Sequence, residues 1–175
     1  LAREVIKAGR AASGRNDIRC TVSIGGFVPK PHTPFQWAPQ LDHVSTDARL
    51  MKLRDAIRAD KQYGKAIGLR YHDGKPGIVE GLLSRGDRRV GAVIEEAWRS
   101  GARFDGWSEH FSFDRWMTAA QAALADEPVD VDWYTTRERD RTEVLPWDHL
   151  DSGLDSEWLW QDWQDAVNAV AVEDC

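Results

Sequence analysis

The chain has 175 residues, 42% hydrophobic and 30% charged, a composition suited to one globular domain with a sizeable core. No apolar run approaches the roughly 20 residues of a membrane span, so a soluble protein with no membrane partner is expected, and two cysteines at opposite ends of the sequence suit a reducing cytoplasm. The net charge of -6 is unevenly spread: residues 1–125 carry 20 Lys and Arg against 14 Asp and Glu, and residues 126–175 carry 3 against 15, which argues against nucleic-acid binding by the acidic C-terminal part.

In chain order, residues 1 to about 14 are predicted to be helical, with Gly14 closing the helix. The segment "LAREVIKAGR" starts without methionine and has neither the apolar core nor the cleavage site of a signal peptide. The expectation is a piece of something longer. "RCTVSIG" alternates Cys20, Val22 and Ile24 with Thr21 and Ser23, the pattern of a strand with one buried face. Prolines 29, 31, 34 and 39 then predict an extended, stiff loop with no regular helix.

Ser45 or Thr46 is expected to cap a helix running to about Tyr63, with Leu50, Leu53 and Ile57 in one stripe. "AIGLRYHDGKPG" predicts a second strand ending in a turn at Asp73 and Gly74. "GIVEGLLSRG" is a short helix, and "DRRVGAVIEEAWRSG" sets Val90, Val93, Ile94, Ala97 and Trp98 on one helical face. Ser112 caps a further helix. Residues 126–155 are expected to be irregular, and a last helix from "DSEWLW" turns Leu159, Trp163, Val167 and Val170 one way. Trp158 and Trp160 stand about 200° apart on that helix, so at least one must point to a loop, a partner or other chain.

Chemistry-bearing residues are few and scattered. His72 and Asp73 end the second predicted strand, and with His110 and His149 they have the residue types of a metal-dependent hydrolase, one alternative function. A strand end followed by a turn accounts for the same pair. "GARFDGWSEHF" and "LPWDHLDSG" gather Trp, acids and His in predicted loops, which suits either a lined cavity or aromatic anchors. A non-catalytic interaction module with an acidic docking tail is a further alternative. Two cysteines, Cys20 and Cys175, make neither a disulfide framework nor a paired metal motif.

The ordered motifs "VSIGGFVPKPHTPFQW", "RYHD", "LLSRGDRRVGAVIEEAWRSGARFDGWSEHF" and "LPWDHLDSGLDSEWLW" resemble the cobalamin-binding radical SAM proteins, over nearly the whole chain. The resemblance implies an α/β remnant of a partial (β/α) radical SAM barrel in residues 1–40, namely its terminal helix, strand and loop. A mainly α-helical accessory region, residues 41–175, follows. It implies a full-length enzyme with a [4Fe-4S] cluster, S-adenosylmethionine and cobalamin, in which this C-terminal fragment closes the barrel and covers the active site. With two cysteines the fragment cannot supply the three thiolates of such a cluster and is not catalytic alone. Its partner is the missing N-terminal part of the same protein.

Under that resemblance Gly25, Gly26, Phe27 and Val28 lie near S-adenosylmethionine, and His32 and Phe35 face the substrate side. Glu109, His110, Asp148, His149 and Asp151 are candidates to line the cavity. Cys175 is a candidate ligand of a further metal cluster.

Overall fold

The computed structural model describes residues 1–72 and 74–170, so the readings placed on Asp73 and Cys175 fall outside the described residues. Among the described residues it is a mixed α/β structure with seven α-helices, two short 3₁₀ turns and one two-stranded parallel sheet. The chain forms two compact units, one from residues 1–26 and 43–74 and the other from residues 27–42 and 75–175.

The first unit is built from α1 (Ala2–Ser13), β1 (Cys20–Ile24), α2 (His43–Ala59) and β2 (Ile67–Tyr71). Gly14 adopts φ 69°, the left-handed region open to glycine, and its N–H donates to Arg10 O, ending α1 where the sequence predicts. The strands run parallel in register from Cys20↔Ile67 to Ile24↔Tyr71. Parallel strands cannot be joined by a hairpin, which is why α2 lies between them in the chain. α2 begins at His43, ahead of the expected cap at Ser45 or Thr46, and only Leu50 of its apolar stripe is buried.

The second unit holds α3 (Lys75–Arg85), α4 (Val90–Arg99), α5 (Phe113–Ala123), α6 (Val131–Thr135) and α7 (Ser156–Val167). Leu82, Val93, Ala97, Trp116, Ala120 and Tyr134 form its main core, in which complete burial of a residue such as Leu82 contributes about 1.5–3 kcal/mol. A second cluster joins Trp37, Leu145, Trp147, Leu159 and Trp163. The Ser112 side chain accepts from Arg115 N as its sequence position suggests.

Four details depart from expectation. A 3₁₀ turn, Pro34–Trp37, forms inside the proline loop, because a proline in the first turn lacks only an N–H that has no helical partner there. Residues 126–155 include α6, capped by the Asp130 carboxylate receiving Trp133 N. On α4 Ile94 and Trp98 are exposed, and near the end of the chain Val167 and Val170 are exposed. Helical periodicity names a face, and the neighbouring elements cover only part of it.

Candidate functional site

In the first unit the sheet has two unlike faces. Cys20, Val22 and Ile67 share with Leu53 and Ile57 of α2 and Val5 of α1 an open groove of about 590 Å³. Two residues of the apolar stripe of α2, Leu53 and Ile57, are thus aimed at space that no other described residue fills. The opposite face carries Thr21, Ser23, Gly68 and Arg70, all exposed, and the same alternation reaches exposed His72 just beyond β2. Gly25 and Gly26 follow β1, and a Cβ on either would meet nothing within 4 Å. The Cys20 thiol is free and half-buried.

In the second unit the proline loop is pinned at many points. Gln36 Oε1 accepts both His32 N at 3.1 Å and Trp147 Nε1 at 2.6 Å. Gln40 Nε2 donates to Gly77 O at 2.6 Å, close to Gly81, where a Cβ would stand 2.0 Å from Gln40 Oε1. Backbone bonds run from Gln40 N to Thr135 O and from Arg139 N to Trp37 O. Phe27 packs edge-on against Phe35, and Phe35 against Trp163, each with ring centroids 5.5 Å apart. Phe27 and Phe35 remain partly exposed, Val28 is half-buried, and His32 takes the left-handed backbone at φ 55°.

Beneath this loop sit two guanidinium groups that the sequence does not advertise as buried. Arg85 donates to Thr135 O and Gln36 O, and Arg139 to Arg85 O and Tyr134 O. Burial, then the like charge of Arg139, lowers the Arg85 pKa to about 10, and burial also lowers that of Arg139. Their partners are carbonyl oxygens, so they act as clamps on irregular backbone. The one sequence signal for Arg85 is its place on the Ile78, Leu82 stripe of α3.

Two carboxylates stand close by. The Arg89 guanidinium holds the Asp87 carboxyl below its ordinary range, and Arg137 does the same for Glu143. Tyr134 donates to Asp87 at 2.9 Å, and burial pushes its phenol up to about 12.

The candidate cavity residues all lie at the surface. Glu109 and His110 occupy an exposed turn, with the Glu109 carboxylate accepting from Ser108 Oγ at 3.4 Å and the His110 ring 6.1 Å from Phe104. Asp148 accepts from Leu145 N at 2.7 Å and Asp151 from Gly153 N at 2.8 Å, so both carboxylates satisfy turn amides. No hydrogen bond or ion pair among the described residues joins Glu109 or His110 to Asp148, His149 or Asp151. Among the described residues no three His, Cys, Asp or Glu side chains are grouped so as to hold a metal ion. No helix among them is long and apolar enough to cross a membrane.

No protein-family model matches the chain, and no curated protein or solved structure is significantly similar to it.

Proposed function

We propose that this chain is the closing part of a cobalamin-binding radical SAM enzyme, in which β1 and β2 are late strands of the barrel and the helical unit is an accessory region. The observation that carries the reading is the parallel β1–β2 pair. It has no third strand among the described residues, so the outer backbone groups of both strands lack ladder partners. Parallel sheets are normally covered on both faces and extended by further strands. The unfilled groove beside Val22 and Leu53 supports the same conclusion, since strands and helices from an N-terminal part of the protein would occupy it.

The chain's own residues do not fit an iron-sulfur cluster. It has two cysteines, and Cys20 faces the groove of the first unit. The cluster and cobalamin therefore belong to the absent part. Gly25 and Gly26 do fit close approach by S-adenosylmethionine, because nothing stands where their side chains would be. That cofactor, once bound to a cluster, supplies the radical; this chain contributes binding and exclusion of water. Of the five acidic and histidine candidates in the helical unit, Asp148 and Asp151 are committed to backbone amides, while Glu109, His110 and His149 are exposed.

Reading the coding sequence upstream of Leu1 tests the proposal. A CxxxCxxC motif is expected there, and the longer polypeptide purified without oxygen should contain iron and sulfide. An upstream sequence without those cysteines would overturn it.

A further inference from the structure

The helix-free face of the β1–β2 sheet has a chemical character of its own. Neither strand contains an acidic residue, and the face displays two hydroxyls and one guanidinium. Ser23 is the register partner of Arg70, and Thr21 that of Gly68. Gly68 keeps the space beside Thr21 narrow but open, since a Cβ there would sit 3.3 Å from Thr21 Oγ1. Arg70 is exposed and has no hydrogen-bond or ion-pair partner among the described residues, whereas Arg3, Arg54, Arg89, Arg99, Arg137 and Arg141 each hold a carboxylate.

Its backbone is held in a strand ladder, so its guanidinium projects from a defined base. It lies one residue from the C-terminal end of β2, and Ser23 one residue from that of β1, the end of a parallel sheet where ligands collect.

We propose that this face binds an oxyanion, the phosphate or carboxylate group of a small molecule. Arg70 anchors it through its planar pair of N–H donors, Ser23 and Thr21 add hydroxyl donors, and the uncovered Gly25–Gly26 backbone allows close approach. The site stands on this face alone and survives the loss of the barrel reading. Within that reading it gives the substrate or cofactor one negatively charged group.

The test is amide-resolved NMR of the chain titrated with inorganic phosphate and, separately, with propionate, chloride holding the ionic strength constant. Saturable displacement of the Ser23, Gly25 and Gly26 amides and of the Arg70 side-chain signal is expected for at least one probe, and the stronger probe identifies the anion class. Arg70→Gln should weaken binding about tenfold and Ser23→Ala less. Arg58→Gln, an exposed cation on α2, should leave it unchanged. Failure of both probes to displace these signals, or displacement undiminished in an Arg70→Gln chain with wild-type circular dichroism, would overturn the proposal.

Discussion

The second unit buries two apolar clusters of its own, one with Leu82, Val93 and Tyr134 at no measurable exposure and one built on Trp37, Trp147 and Trp163, although Ile94, Trp98 and Trp107 of the same unit stay exposed. Among the described residues of the first unit only Ile6, Leu50 and Tyr63 are buried apolar side chains, while Val5 and Leu53 stand 49% and 39% exposed around an unfilled groove. Both units have amphipathic helices of ordinary composition. What separates them is the number of partners supplied within the chain, since an apolar stripe stabilises only when something covers it.

The sharpest challenge to that contrast is Trp37→Ala in the second unit. It removes an indole that packs on Trp160 at 5.1 Å and sits in the Leu145–Leu159 cluster, and a loss of about 3–5 kcal/mol is expected in urea unfolding followed by far-UV circular dichroism. A loss below about 1 kcal/mol would mean that this core is not packed as described. Gln36→Leu should cost about 1–3 kcal/mol, because Trp147 Nε1 would stay buried without its acceptor.

Ser112→Ala, which takes the side-chain acceptor from the start of α5, should cost about 1 kcal/mol in the same assay.

Acid should act on the second unit through Asp87 and Glu143. Their folded pKa values lie below the ordinary 3.8 and 4.5, so their contribution is complete above those values and is lost as pH falls through the lower folded ones. Asp87→Asn should flatten the acid limb of the stability–pH curve, and an unchanged limb would remove Asp87 from the account.

The smallest effect belongs to the first unit. Leu53→Ala trims a side chain that faces open groove and should change stability by less than about 0.5 kcal/mol. If it costs as much as Gln36→Leu, the groove is filled in solution and the contrast between the units fails.

Local signals made much of this architecture legible. The αL glycine at 14, the alternation of Cys20, Val22 and Ile24, and the Ser112 cap depend on neighbours a few residues away. Burial of Arg85 and Arg139 was not legible, because it depends on carbonyls about 50 residues distant, at Gln36, Thr135 and Arg85. Val167 matches the helical period and still lies at the surface, since periodicity cannot say where a neighbour ends, and Val170 lies beyond the end of α7 at Val167. At the candidate site, "PWDHLDSG" disclosed residue types but not that Asp148 and Asp151 would be spent on turns. Arg70 drew no notice in the sequence because its isolation appears only when the register puts Ser23, not a carboxylate, opposite it.

The left-handed backbone at His32 also restricts how position 32 can drift over evolutionary time. At φ 55° a branched Cβ crowds the carbonyl that follows, so glycine, asparagine and aspartate are admissible replacements while valine, isoleucine and threonine are not. An imidazole retained there reports first on the shape of the main chain, a shape that His32→Asn keeps.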